Sequence, residues 1–152
     1  MEETKHKRSI RNRRDGWYLS DIDSMHVIMP YVMPHRIANE AVLGEEIDIT
    51  ALDAYIRAKN ESGPDFKYTW FHAITAALAK TLVLRPKMNY FISGYRMYER
   101  KKVEVAFTVK RKFEDNSEET LAKMIVDPDG GPVIEQVHSF VEKIVTKVRR
   151  SD

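Results

Sequence analysis

The sequence is 152 residues long, which is enough for one domain with a hydrophobic core and leaves little room for a second. Hydrophobic residues make up 43% and charged residues 32% of the chain, a balance that excludes a fibrous or disordered protein. The absence of cysteine excludes disulfides, a thiolate metal site and a cysteine nucleophile. No segment has the length and apolarity of a membrane span, and the N-terminus is charged where a signal peptide would be apolar. We therefore expect a cytoplasmic protein without a membrane partner.

The net charge of +2 is concentrated near the N-terminus. Residues 1–14 contain six Lys or Arg and two Glu, a local charge of +4. Such a segment is typical either of an arm that binds nucleic acid or of a solvated, mobile terminus. Aromatic residues do not alternate with the basic ones in this segment. We therefore predict a flexible basic arm over residues 1–16 and do not expect nucleic acid to be a partner.

An apolar segment with two prolines follows the arm. Pro30 and Pro34 interrupt residues 17–36, and proline lacks the amide hydrogen that a helix interior needs, so we expect at most one helical turn there. Residues 47–49, Ile-Asp-Ile, alternate between apolar and acidic side chains. This alternation predicts a short, half-buried strand.

Two helices are predicted in the middle of the chain. Thr50 and Asp53 have the spacing of a capping box, so the first helix is expected to start at Thr50 and to end before Gly63. The second is expected to follow Thr69, whose side chain suits an N-cap, and to stop before Pro86. Its apolar residues occupy opposite faces, which is typical of a helix that is covered on both sides.

The hydrophobic period then changes from helical spacing to strict alternation. Apolar residues at positions 103, 105, 107 and 109 alternate with others, which predicts a strand. An acidic loop leads to a second apolar segment at residues 120–127, so we predict a β-hairpin. Residues 133–150 carry Val and Ile at helical spacing and basic residues in the last turn, which predicts an amphipathic helix.

Histidine is the side chain best suited to general-base catalysis near neutral pH. His72 shares a helical face with Ala76, Ala79 and Val83 and has no carboxylate within one turn, so we predict a buried core residue and not a catalytic base. The five histidines lack the spacing of metal ligands, and no phosphate-binding glycine loop or nucleophile elbow occurs. The residues alone therefore predict a fold without an active site.

Three segments in order resemble the front half of the chloramphenicol acetyltransferase-like family, which includes the catalytic domains of 2-oxo acid dehydrogenase acyltransferases. They are EEIDITALDAYIRAKN, YTWFHAITAALAKTLVLRPKMNYFI and VEVAFTVKRKF. The resemblance covers about residues 17–148. It implies an α/β fold, a two-layer sandwich of the CoA-dependent acyltransferase type with a mixed sheet and helices packed on it, here incomplete. It also implies a homotrimer with active sites between subunits, acyl-CoA as a co-substrate, no covalently bound cofactor and a small-molecule acyl acceptor.

The catalytic base of that family is a histidine in an HxxxDG motif near the C-terminus, which takes a proton from the hydroxyl or thiol acceptor. None of His26, His35, His72 and His138 begins such a motif. The resemblance therefore assigns no catalytic residue. It implies that residues 17–152 are the N-terminal portion of an acyltransferase domain in a truncated chain that is inactive alone. The alternative is a non-catalytic binding or oligomerisation module of the same fold.

Substrate-binding candidates also come from the resemblance. Residues from Tyr31 to Arg36 lie where the family lines its acyl-acceptor pocket, and Asn89 in the segment RPKMN matches the start of the strand beyond the apolar helix. His35 and Arg36 in addition follow Pro34 in an irregular segment, where functional side chains often occur. We therefore predict Tyr31, His35, Arg36 and Asn89 as substrate-binding residues, and no metal ligand.

Overall fold

The computed structural model describes residues 9–112 and 114–150. The chain is a mixed α/β protein with small antiparallel sheets, and it folds into two compact units. Within the described residues, unit 1 is formed by residues 9–46 and 85–102, and unit 2 by residues 47–84 and by residues 103–150 apart from 113. Each unit is thus built from two separate segments of the chain. In the described part of the chain, no helix has the length and apolarity needed to cross a membrane.

The elements are numbered in chain order within each class. Unit 1 contains the strand β1 (Gly16–Tyr18), the helix α1 (Ser24–Val32), 3-10 turns at Arg36–Asn39 and Pro86–Asn89, and the strands β2 (Tyr90–Ser93) and β3 (Arg96–Arg100). Unit 2 contains the helices α2 (Thr50–Glu61) and α3 (Trp70–Leu84), the strands β4 (Val103–Lys110) and β5 (Glu119–Val126), and the helix α4 (Val133–Arg150).

Unit 1 is built on a three-stranded antiparallel sheet in the order β1-β3-β2. The turn between β2 and β3 consists of Gly94 and Tyr95, whose φ angles of 56° and 60° are both positive. Such a two-residue turn matches the right-handed twist of the strands it joins. From the predicted basic arm, Arg13 reaches this sheet, since its Nη1 donates to Ser93 Oγ at 3.0 Å. Residues 1–8 of that arm lie outside the described residues.

The helix α1 corrects the prediction of an irregular segment with at most one turn. It has nine residues with Pro30 inside it, and Asp23 caps its start by accepting from the Met25 amide at 3.2 Å. The helix continues past the proline, because the Met33 amide donates to the Met29 carbonyl at 2.9 Å. Pro30 is buried, and α1 contacts β3. The cap and the burial of an apolar surface thus outweigh the hydrogen bond that proline removes.

Unit 2 is a β-hairpin covered by helices. The predicted hairpin is confirmed: β4 and β5 pair in register from Val103 with Val126 to Lys110 with Glu119. The predicted helices at α3 and α4 are also confirmed, and both pack on β4. The prediction that α3 is covered on both sides is wrong within this chain, because Trp70, Ile74 and Leu78 are exposed. Buried side chains from α3, β5 and α4 form one hydrophobic cluster: Ala76, Ala79, Met124, Val126, Val137 and Val141. The alternation along β4 and the helical spacing along α4 therefore predicted the faces that become buried.

The start of α2 differs from the prediction in two ways. Residues 47–49 form no strand, and the predicted capping box is wrong. The N-cap residue is Ile49, whose side chain makes no capping bond, and Asp48 before it accepts at Oδ1 from the Thr50 amide at 2.8 Å and from the Thr50 hydroxyl at 2.6 Å. Asp53 instead pairs with Arg57 at 2.7 Å, one turn along the helix. An aspartate that accepts from the residue two positions ahead competes with strand pairing, so the chain turns directly into the helix.

Candidate functional site

A cavity of about 880 Å³ lies in unit 1, between the end of α1, the following 3-10 turn and the β2–β3 hairpin. Its apolar lining comes from Pro30, Met33, Pro34, Phe91, Ile92 and Met97, together with Gly94. Its polar side chains are Arg36, Asn39, Tyr90 and Tyr95. Concave, mostly apolar sites with few polar groups are the usual form of small-molecule pockets.

Asn39 holds the wall of this cavity in place. Its Nδ2 donates to the Met33 carbonyl at 2.8 Å and to the His35 carbonyl at 3.0 Å. These bonds tie the 3-10 turn to the end of α1, where carbonyl groups lack helical partners. Arg36, in the same turn, is exposed and pairs with Glu40. The fixed turn therefore presents a cation that is exposed, and paired with Glu40, at the edge of the cavity.

The four predicted binding residues all lie in unit 1, but the cavity does not bring all of them together. Arg36 lines it, and Tyr31 stacks on the lining residue Tyr95 with ring centroids 4.9 Å apart. His35 is exposed and outside the lining. Asn89 is also outside the lining. Its side chain donates to the Lys102 carbonyl at 3.1 Å, a bond that joins the segment before β2 to the segment after β3. Tyr90 and Met97 also line the cavity, but the sequence does not predict them. Alternation along a strand shows which side chains share a face, and it does not show whether that face packs in a core or lines a pocket.

His72 in unit 2 is a buried core residue, as predicted, with 2% of its surface exposed. Its Nδ1 accepts from the Thr69 amide at 3.0 Å, so a neutral ring carries its proton on Nε2. That Nε2 has no hydrogen-bond partner among the described residues. Burial lowers the pKa of His72, and the nearby His138 lowers that pKa further. The imidazole is therefore neutral, enclosed and unable to reach a substrate.

A polar cluster next to His72 links three helices of unit 2. Glu135 on α4 accepts from Lys59 on α2 and from the hydroxyl of Tyr68, which precedes α3. The hydrogen bond from Lys59, and then that from Tyr68, lower the pKa of Glu135. The His138 ring stacks on the Tyr68 ring with centroids 3.8 Å apart, and His138 Nε2 donates to the Phe66 carbonyl at 2.7 Å. The cluster is internally satisfied, which assigns it to structure and not to acid-base chemistry.

The sequence could not predict this cluster because its members are far apart along the chain. Glu135 lies at the start of α4, where a carboxylate also suits the helix dipole, and that dipole position was its only local signal. Within residues 9–112 and 114–150, no group of three or more acidic or histidine side chains is arranged to hold a metal ion.

No protein-family model matches the sequence, and no curated protein or solved structure matches it either. The fold and the cavity define the chain as a mixed α/β protein with small antiparallel sheets and one predominantly apolar pocket in unit 1.

Proposed function

We propose that the chain is a domain of the CoA-dependent acyltransferase type that binds an acyl-bearing small molecule in the cavity of unit 1 and does not transfer the acyl group by itself. The observation that carries this proposal is the cavity of about 880 Å³, with its apolar wall and with Arg36 at its edge. Its volume lies within the range of roughly 300–1,000 Å³ that is usual for small-molecule sites.

The lining favours an acyl thioester over a polar metabolite. Met33, Ile92 and Met97 offer flexible, apolar contacts that suit an aliphatic chain. Arg36 offers a guanidinium to a phosphate or carboxylate at the other end of the ligand, because guanidinium groups bind such anions through two parallel hydrogen bonds. Acyl-CoA combines an apolar chain with phosphates, and it is the co-substrate that the family resemblance implies.

The proposal of an inactive domain rests on the histidines. A general base has to reach the proton of the acceptor within hydrogen-bond distance, either directly or through one water. His72 is buried in unit 2 with its Nδ1 occupied, and His35 lies outside the cavity lining. No described histidine lines the cavity.

Calorimetric titration with octanoyl-CoA, acetyl-CoA and free CoA tests the binding. We expect octanoyl-CoA to bind more tightly than acetyl-CoA, since each buried methylene contributes about 0.8 kcal/mol. Ile92→Arg places a charge in the apolar wall and is expected to raise the Kd at least about tenfold, an effect of about 1.4 kcal/mol. Ile125→Arg is the matched control in unit 2, because Ile92 and Ile125 are 53% and 52% exposed. An equal loss of binding in both variants would contradict the proposal.

The absence of catalysis is tested by incubating the chain with acetyl-CoA and a thiol or hydroxyl acceptor. We expect free CoA to be released no faster than without protein. Sustained acyl transfer by the chain alone would show that it contains a base that the described geometry does not reveal, and would overturn this part of the proposal.

A further inference from the structure

A row of aromatic rings crosses the sheet of unit 1. The strand register places Tyr18 of β1 opposite Tyr98 of β3, and Tyr98 opposite Phe91 of β2. The rings touch, with centroids 5.9 Å apart for Tyr18 and Tyr98 and 5.4 Å apart for Phe91 and Tyr98. Tyr98 is buried beneath its neighbours, whereas Tyr18 and Phe91 are partly exposed. We call these three residues the aromatic row.

Exposed arginines lie over this row. The Arg11 guanidinium is 5.5 Å from the centre of the Tyr18 ring, and the Arg100 guanidinium is 4.5 Å from that of Phe91. Arg13 lies 5.8 Å from the Phe91 ring and 5.7 Å from the Tyr98 ring. Cations at these distances are attracted to the ring faces. The sheet thus presents guanidinium groups directly above rings that are partly open to solvent.

The charge of the described chain is concentrated in the same unit. The described residues of unit 1 include ten Lys or Arg and seven Asp or Glu, a net charge of +3. Those of unit 2 include 12 Lys or Arg and 13 Asp or Glu, a net charge of −1. Beside the row, Asp15 is a carboxylate that pairs with Arg13 at 2.9 Å. The row therefore lies in the part of the protein that attracts polyanions.

We propose that the aromatic row and its arginines bind single-stranded nucleic acid. Arginines of the row can turn toward phosphates, which leaves the faces of Tyr18 and Phe91 to stack with bases. Unpaired bases are required, because bases inside a duplex are already stacked on one another. A polyanion without bases can bind the arginines but cannot stack on the rings. It should therefore bind less tightly than single-stranded nucleic acid.

This proposal differs from the expectation that the basic arm has no nucleic-acid partner. That expectation rested on the lack of aromatic residues among the basic ones near the N-terminus. The fold supplies them, because pairing of β1 with β3 brings Tyr98 beside Tyr18, and Phe91 comes with β2. Phe91 belongs to both the row and the cavity lining, but Tyr18 and Arg100, the residues changed in the test below, lie outside that lining, so the two proposals can fail separately.

Fluorescence anisotropy with a labelled oligo-dT strand at low salt tests the proposal. We expect binding that weakens with salt, with a slope of log K against log salt of about −2 if roughly three phosphates are contacted. Tyr18→Leu is expected to weaken binding about tenfold and to leave the slope unchanged. Arg100→Gln is expected to make the slope shallower by about 0.7.

Matched controls in unit 2 separate these effects from general loss of fold or charge. Tyr55→Leu and Arg57→Gln change exposed residues of the same types and are expected to leave binding unchanged. Circular dichroism verifies that each variant is folded, and Arg100→Gln keeps the test valid if Tyr18→Leu unfolds, because Arg100 is exposed. Failure to bind at low salt overturns the proposal. Equally tight binding of duplex DNA or heparin also overturns it, as does an unchanged affinity in both Tyr18→Leu and Arg100→Gln.

Discussion

His72 shows how the surroundings of one residue set its protonation state. The side chain is enclosed by the aromatic rings of Phe66, Tyr68 and Phe71 and by the imidazole of His138. Burial disfavours the charged ring, and a second imidazole at 5.2 Å adds repulsion when it is charged. The folded state therefore holds His72 neutral at pH values at which the unfolded chain binds a proton.

We predict that acidification destabilises the fold through His72. Its folded-state pKa is lowered, so its contribution to stability is complete above the unfolded pKa of about 6.5 and is lost as the pH falls below that value. The free energy of unfolding should decrease by up to about 1.4 kcal/mol for each pH unit in this window. Urea unfolding at several pH values measures the slope, and His72→Phe, which cannot titrate, should show a shallower one. The same slope in both proteins would contradict the assignment.

Glu135 responds to pH in a separate window. Its pKa is lowered by Lys59 and Tyr68, so its ion pair stabilises the fold above the unfolded carboxyl pKa of about 4.3 and is lost as the pH falls further. Both partners of the ion pair are partly exposed to solvent, which limits its contribution to about 1 kcal/mol or less. The loss caused by His72 therefore begins first on acidification.

At the scale of elements, the short strands of unit 1 depend on close contact between side chain and backbone. Gly16 in β1 has no side chain, and a Cβ at this position would lie 2.8 Å from Cε1 and 2.9 Å from Cζ of Phe91. The Phe91 ring thus packs directly against the backbone of β1. This contact joins the two outer strands of the sheet across β3.

We predict that Gly16→Ala destabilises unit 1 by about 1–3 kcal/mol, because the added methyl group displaces the Phe91 ring from a packed position. Urea unfolding followed by tryptophan fluorescence measures the effect, in a Trp70→Phe background so that only Trp17 in β1 reports. Gly44→Ala is the control, since a Cβ at Gly44 meets no atom within 4 Å. We expect that control to stay within about 0.5 kcal/mol of the parent. A Gly16→Ala variant as stable as the control would show that Phe91 moves aside without cost.

At the scale of the whole molecule, both units expose apolar helix surface. On α1, the exposed residues include Met25, Ile28, Tyr31 and Val32. On α3, Trp70, Phe71, Ile74 and Leu78 are exposed at spacings that place them on one helical face. Rows of large apolar side chains of this kind usually mark contacts between proteins. We therefore expect these faces to be covered in an oligomer of the chain.

We predict that the chain self-associates through the exposed face of α3. Light scattering coupled to size exclusion should give a mass above the 17.7 kDa of one chain, and a trimer is the state that the resemblance implies. Ile74→Lys, at a residue that is 54% exposed, should shift the protein toward the monomer. Ala58→Lys adds the same charge at an exposed position on α2 and should leave the mass unchanged. A monomeric parent at micromolar concentration would refute the prediction.

Part of the candidate site was predictable and part was not. Arg36 was predicted from its irregular segment and does line the cavity, and Tyr31 reaches it through its stacking on Tyr95. His35 and Asn89 lie outside the lining. Asn89 ends a 3-10 turn, and its side chain is directed by its hydrogen bond to the Lys102 carbonyl, which the sequence does not reveal. Neighbouring positions in a segment therefore do not share one environment.

The sequence by itself determined the elements whose signals are local and periodic. The helices α3 and α4, the β4–β5 hairpin and the burial of His72 follow from apolar residues at helical or alternating spacing. Only the tertiary structure decided the division into two units, the helix through Pro30, the cavity and the aromatic row. These features depend on contacts such as Tyr18 with Tyr98, between residues that are distant along the chain. Local periodicity carries no information about which distant segments pair, so the fold has to form before such sites exist.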